Sequence, residues 1–423
     1  IYMIVGIIGS GGREHAICQK IYQSKKTKKI YCFPGNGGTA KIAQNTNISW
    51  NNTAKLKRYI LSKKIDLVII GPEQPLVNGM VDDLIKDNIK VFGPSKIASQ
   101  LEGSKIFTKN ICKKYNIPTA NFGIFINKND AIDFIKKAKL PIVVKADGLA
   151  AGKGVYICEN VKSAKSSINE IFNGKFGKAK NILIEEFLKG EEMSYFIISD
   201  GKTIKRFQTA QDHKRVFEGD KGPNTGGMGC YSPSRLINKE MDSKILKRII
   251  NPTLRALKDL GTDYRGFLYA GLMIVKNNPY LIEYNVRMGD PECQTILPLL
   301  ENDFLGLIES CCKKKLSKIS IKWKEKKSLC IVLCSNGYPG KYKNNILINN
   351  TNVNSTNNND FLFHAGTKII KKKIFSDGGR VLNFVNLSRN FKESRKNILN
   401  NIKKLNWKNG FFRKDIGYKV IDK

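Results

Sequence analysis

The first hundred residues alternate short apolar runs with longer polar-faced stretches: Met3–Ile8, Glu14–Gln23, Ile30–Phe33, Thr53–Lys63, Leu67–Ile70, Met80–Asp87 and Val91–Phe92. Apolar strands separated by helical stretches read as βαβ units, so this part of the chain is expected to be an α/β domain built on a parallel sheet. Its first turn, Gly9-Ser10-Gly11-Gly12-Arg13-Glu14-His15, joins strand to helix and aims backbone N–H groups at whatever anion lies there. A dinucleotide is the obvious rival ligand. However, the second strand ends Tyr31-Cys32-Phe33-Pro34-Gly35, with no carboxylate for a ribose diol. A phosphate-bearing small substrate fits better, with Arg13 as a clamp.

The densest chemistry lies in Leu281-Ile282-Glu283-Tyr284-Asn285-Val286-Arg287-Met288-Gly289-Asp290-Pro291-Glu292. Alternate residues of a strand share a face, so Glu283, Asn285 and Arg287 are expected to point one way and Ile282, Tyr284 and Val286 into the core. A carboxylate, an amide and a guanidinium side by side suit a hard cation next to a phosphate. The plain alternative is a half-buried strand whose polar face is merely wet.

Pro141–Ala146, Asp147–Gly154 and Val155–Cys158 read as strand, glycine-rich loop and strand. The loop spacing, Gly148-Leu-Ala-Ala-Gly152-Lys153-Gly154, is not a Walker pattern. A hairpin of this kind can instead close over a triphosphate, and Lys145, set among Ile142, Val143, Val144 and Ala146, wants an anion. Downstream, Ile182–Leu188 is an apolar strand that ends in acids and a connector whose backbone suits an adenine, with Glu192 favoured for a ribose. Gln211-Asp212-His213-Lys214-Arg215 precedes Gly222–Gly229, where the many glycines imply close approach of backbone to ligand or sharp turns. His213 taken alone reads as a surface residue.

The chain has 423 residues, 41% hydrophobic, enough for two to four packed units. It contains no apolar run of membrane-spanning length, and it starts without a basic region or cleavage site, so a cytoplasmic protein is expected. Ten scattered cysteines without C-x-x-C, and three histidines, do not suggest zinc. The net charge of +37 would favour nucleic acid if it were clustered. Instead the lysines run from Lys20 to Lys423, as a compositional bias on solvated faces would place them.

In this order the motifs resemble the glycinamide ribonucleotide synthetase family of ATP-grasp ligases. The resemblance rests on Gly9–Ala16, Gly71-Pro72-Glu73, Gln100–Lys105, Val144–Val155, Gln211–Arg215, Gly222–Gly229, Gly266–Gly271, Glu283–Glu292, Phe363–Thr367 and Arg413–Gly417, and covers essentially the whole chain. It implies that ATP phosphorylates glycine and that the amine of 5-phosphoribosylamine attacks the acyl phosphate. It also implies roles. Glu283 and Asn285 would hold Mg2+ or Mn2+, and Arg287 would offset charge on the transferring group. Lys105 and Lys145 would grip phosphates under the loop of Gly148, Gly152, Lys153 and Gly154. Glu185 with the Phe187–Leu188 backbone would take the adenine, and Glu192 the ribose. Gly11, Gly12 and Arg13 would meet the phosphoribosylamine phosphate, with Glu73 near its ribose. Asp212, Lys214, Asn224, Thr225, Gly226 and Asp290 would surround glycine and the acyl phosphate.

The family pattern is broken at Cys230, Met288 and Cys293, which alter packing rather than ligands. It starts at Met3 and ends shortly after Gly417, so a monofunctional chain is expected. The architecture implied is an N-terminal α/β domain over 1–104, an ATP-grasp body over 105–325 with a small mobile lobe near 123–193, and a C-terminal α/β domain over 326–423. Asn344–Asp360 has the composition of a mobile loop. A monomer acting on small molecules, away from membranes and nucleic acids, is expected. The alternatives are another ATP-grasp carboxylase or ligase and, from a different class, a basic nucleic-acid-binding protein.

Overall fold

The computed structural model describes residues 2–149, 154–177, 181–351 and 358–421. Strand Met3–Gly9 lies between Thr27–Pro34 and Leu67–Ile70, both parallel to it, and the five-stranded sheet is completed by Gln44–Asn45 and Val91–Phe92. Helices Gly12–Tyr22, Thr53–Ser62 and Met80–Lys86 lie between successive strands, as the sequence pattern predicts. Val5, Ile7, Ile8, Val68 and Ile69 are buried, the near-continuous apolar signature of a parallel sheet covered on both faces.

Residues 122–186 form a smaller antiparallel sheet in the order Phe122–Phe125, Ile182–Glu186, Ile142–Ala146, Val155–Cys158, with helices Lys128–Lys137 and Val161–Phe172 packed on it. Ile135, Val144, Ile168 and Ile184 make this lobe a core of its own, separate from the two larger clusters.

The central sheet runs Ile204–Arg206, Glu191–Asp200, Arg265–Val275, Asn278–Asn285. Its last strand carries a bulge: Gly271 faces Glu283 while Leu272 faces Leu281, which leaves Ile282 between them. The bulge corrects the expectation for Ile282. Leu281 is buried in its place, and Ile282 lines a cleft beside Glu283, whereas Tyr284 and Val286 are buried as expected. Arg287 lies in a bend beyond the strand and reaches Asn285 directly, its NH2 3.3 Å from Oδ1, rather than by strand alternation.

Strands Lys327–Ser335, Arg380–Ser388 and Asp360–His364 build the C-terminal sheet, which continues outward through Gly229–Ser232 and Gln211–Asp212 from the middle of the chain. The loop predicted over 344–360 is partly ordered, because Leu347–Ile348 pairs with Lys373–Ser376; residues 352–357 lie outside the described residues. Among the described residues, no helix is long and apolar enough to cross a membrane.

Candidate functional site

Helix Lys105–Lys114 starts at Ser104, whose hydroxyl accepts from the Phe107 amide at 3.1 Å. The same cap ties the root of the glycine-rich loop, since Ser104 Oγ lies 3.2 Å from both carboxylate oxygens of Asp147. Lys105 donates to the Gly148 carbonyl at 2.8 Å. One turn later the same helix supplies Lys109, which the sequence reading missed. Lys109 and Lys145 both pair with the buried carboxylate of Glu185. The anion that Lys145 wants is therefore Glu185 in this state. Burial pushes the Glu185 carboxyl up, but Lys145 and Lys109 outweigh it and hold it below the usual range. Phe187 and Leu188 lie in the connector that follows and make no backbone hydrogen bond to another described residue. Gly154 anchors the far side of the loop, its carbonyl accepting from the Ala146 amide at 2.9 Å, whereas Gly152 and Lys153 lie outside the described residues.

A narrow cleft opens between the central sheet and the 211–214 segment, with Glu192, Asp212, Lys214, Tyr269 and Glu283 on its walls. Lys214 pairs with Glu192 at 2.9 Å; each stabilises the charged form of the other, so the pKa of Lys214 lies well above and that of Glu192 below its ordinary value. Glu283 has no hydrogen-bond or ion-pair partner among the described residues, although it lies in electrostatic range of Lys105 and Lys214. A carboxylate without a partner, two residues from the Asn285 amide and near two ammonium groups, is the donor set a divalent cation with phosphates would complete.

Behind the cleft, burial and the neighbouring Glu292 push the Asp212 carboxyl well up. Glu292 itself is buried and accepts from Ser194 Oγ at 3.1 Å. Gly227 (φ +121°) closes against this corner: a Cβ there would lie 2.6 Å from Pro291 Cδ and 2.8 Å from Asp212 Oδ1. Thr225 bonds back to the Lys214 carbonyl through both its amide, at 2.7 Å, and its hydroxyl, at 2.8 Å. Asn224 is exposed on the strand Lys221–Asn224 beside it. Arg380, from the C-terminal sheet, donates to the carbonyls of Gly226 and Asp290, each at 2.7 Å, and lies 3.4 Å from the Asp290 carboxylate. Burial works against the Asp290 anion, but Arg380 and Arg13 outweigh it and hold its carboxyl down.

The first helix differs from expectation. Its start is satisfied by protein carboxylates: the Gly11 amide donates to Glu14 at 2.7 Å and the Arg13 amide to Asp290 at 3.1 Å. Arg13 is not an extended clamp but a buried side chain that donates to Glu14 at 2.6 Å and to the Met288 carbonyl at 3.2 Å. Gly12 packs against Gln294 and Asn383, which a Cβ would meet at 2.4 and 2.5 Å. Nearby, Arg287 bridges Glu73 at 3.2 Å and Glu102 at 2.6 Å, and holds Glu73 below the usual carboxylate range. Arg13, Gly71 and Arg287 share the walls of a second cavity.

The structure therefore brings Lys105, Lys145, Glu185, Glu192, Asp212, Lys214 and Glu283 to one region and Gly11, Gly12, Arg13, Glu73, Arg287 and Asp290 to an adjoining one. His213 is corrected from surface to interior: it is buried, its Nε2 accepts from the Gly417 amide at 3.2 Å, and burial followed by Arg413 lowers it to about 4. Lys109 was findable as the i+4 neighbour of Lys105. Glu102 stood within a quoted motif. Arg380 carried no local signal, because its partners are more than 80 residues away in sequence.

Comparison with known proteins finds relatives over the whole length of the chain. The phosphoribosylglycinamide synthetase family models match as an N domain over residues 3–102, an ATP-grasp (A) domain over 103–293 and a C domain over 328–419. The phosphoribosylamine–glycine ligase of Brucella melitensis is 43% identical over 422 residues, covering 100% of this chain and 99% of the relative. That of Caldanaerobacter subterraneus is 44% identical, covering 98% and 99%. The crystal structure of the Thermotoga maritima phosphoribosylamine–glycine ligase superposes with a TM-score of 0.85 at 31% identity, covering 98% of this chain and 100% of that one. A biotin carboxylase from Campylobacter jejuni, at 16% identity and TM-score 0.73, shares the fold alone. The chain belongs to the phosphoribosylglycinamide synthetase family.

Proposed function

We propose that this chain joins glycine to 5-phosphoribosylamine at the expense of ATP, through glycyl phosphate, giving glycinamide ribonucleotide, ADP and phosphate in purine biosynthesis. The observation that carries the reading is the carboxylate of Glu283, without a partner among the described residues, which shares a cleft with Lys214 and lies in electrostatic range of Lys105. Family membership supplies the substrates. Positive charge around one unsatisfied acid suits a nucleotide triphosphate that brings a cation.

Glu283 and Asn285 would hold that cation, Mg2+ or Mn2+. When bound, it would neutralise charge between the phosphates. The chain's own groups do the rest. Lys105 and Lys145 hold phosphates beneath the loop from Gly148 to Gly154, with Gly152 and Lys153 in its span. Glu185 and the backbone of Phe187 and Leu188 take the adenine, and Glu192 takes the ribose. Lys214 and Arg287 offset charge on the transferring group. Asp212 and Asp290, with Asn224, Thr225 and Gly226, enclose glycine; a raised Asp212 carboxyl suits proton exchange with an amine. The phosphoribosylamine lies at the second cavity, beside Gly11, Gly12, Arg13 and Glu73.

The boundaries proposed are 1–104, 105–325 and 326–423, with the lobe near 123–193 moving on its own core. The protein acts as a cytoplasmic monomer on small molecules. The test is ADP release with phosphoribosylamine, supplying glycine, alanine or bicarbonate in turn. Turnover with glycine alone is expected. Turnover with bicarbonate and none with glycine would replace the ligase with a carboxylase.

A further inference from the structure

The Glu185 carboxylate sits between two lysines, and only one of them has a task in the reaction. Lys145 is carried by strand Ile142–Ala146, whose end runs into the glycine-rich loop, and it pairs with Glu185 Oε2; Lys109 pairs with Oε1 from the opposite side. All three side chains are nearly inaccessible, at 3–7% exposure. In this arrangement Lys145 is not free to meet a phosphate. To do so it must leave Glu185, and a buried carboxylate stripped of its cation is strongly disfavoured.

Lys109 removes that obstacle, and its own position is pinned. Its Nζ donates to Thr119 Oγ1 at 2.5 Å, and that hydroxyl donates on to the Leu281 carbonyl at 2.6 Å, in the strand that carries Glu283. The Phe122 ring covers it, 5.3 Å from Nζ to centroid. Held on three sides, Lys109 cannot follow an arriving anion as Lys145 can.

We propose that Lys109 is a positioning residue for nucleotide binding: it keeps Glu185 compensated so that Lys145 can transfer from that carboxylate to a phosphate of the nucleotide. The inference rests on the reading of Lys145 as a phosphate ligand. Lys109 touches neither nucleotide nor acceptor. Its charge sets how readily Lys145 is given up, so its loss should appear in nucleotide affinity rather than in the chemical step.

The test is calorimetric titration of the full chain with Mg2+ and a non-hydrolysable ATP analogue, alongside kcat at saturating ATP. Lys109→Met is expected to weaken binding by about tenfold or more, with kcat within a few-fold of the parent. Adding Glu185→Gln, which frees Lys145, should restore affinity to that of Glu185→Gln alone. Unchanged affinity in folded Lys109→Met, or additive losses in the double variant, would overturn the proposal. Lys145→Ala separates the two readings: if it leaves affinity intact, the phosphate-ligand assignment fails; if it alone weakens binding, only the Lys109 role fails. Where Lys109→Met does not fold, competitive amine labelling of the unmodified protein with mass-spectrometric readout decides. Nucleotide should change the reactivity of Lys145 and leave Lys109 protected, and exposure of Lys109 on nucleotide binding would refute its fixed role.

Discussion

Arg380 donates to the carbonyl of Gly226 at 2.7 Å, so a side chain of the C-terminal sheet holds the glycine-rich segment that faces the reacting cleft. The same guanidinium binds the Asp290 carbonyl, and one residue fixes two loops. Arg380→Ala should leave the Asp290 carboxylate buried with less compensation, at a cost of roughly 3–5 kcal/mol of stability. It should also raise KM for glycine. Denaturant unfolding and glycine titration check both; an unchanged KM in a folded variant would detach Arg380 from the loop's geometry.

Glu283→Gln keeps the shape of the side chain and removes its charge. Phosphoryl transfer is expected to fall by orders of magnitude while the melting temperature stays close to that of the parent, because Glu283 has no ion pair among the described residues. Full activity at saturating Mg2+ would take Glu283 out of the cation site.

Gly227→Ala places a methyl against Pro291 and Asp212 at a backbone angle that side chains rarely adopt. Overpacking of this kind costs about 1–3 kcal/mol. The loop should shift rather than the sheet, so activity is expected to fall further than stability. The same crowding predicts that alanine is a poor substrate of the parent enzyme, read by ADP release with each amino acid.

The pH dependence has a definite sign at Asp220. Burial raises its carboxyl, but hydrogen bonds from Tyr418 and Arg413 outweigh it, and the folded value falls to about 2. The unfolded value lies near 3.9. The unfolded chain therefore binds more protons between these values, and the stabilisation, complete above about 4, is lost as pH falls toward 2. Melting curves of the parent and Asp220→Asn should converge across that window. Parallel curves would mean that the pairing with Arg413 contributes nothing.

What the sequence disclosed follows from the range of the interactions. Strand periodicity and Gly turns act over a few residues, so the parallel sheet and the hairpin around Asp147–Gly154 were legible. Glu283 and Asn285 were placed by strand alternation, yet Ile282 was misjudged because a bulge is set by pairing with Gly271 and Leu272, which no local pattern announces. The turn suggests a clamp at Arg13; its side chain instead bonds to Glu14 beside it and to the Met288 carbonyl 275 residues away, and only the second of these is hidden from a local pattern. Glu185 was legible as a residue but not as the counter-ion of Lys145, since that depends on the pairing of strand Ile142–Ala146 with Ile182–Glu186, which lies beyond any local pattern.

The sheet that borrows Gln211–Asp212 and Gly229–Ser232 has a mechanical consequence. The segment holding Lys214, Thr225 and Gly227 has both feet riveted into a sheet whose other strands come from the last hundred residues. The lobe over 122–186, in contrast, has its own small core. The proposed acceptor side is built on a shared sheet and the lobe on a core of its own, so strain in one need not be passed to the other. Cutting the chain near residue 326 would thus remove the bed on which the glycine segment rests, although that segment lies a hundred residues upstream of the cut.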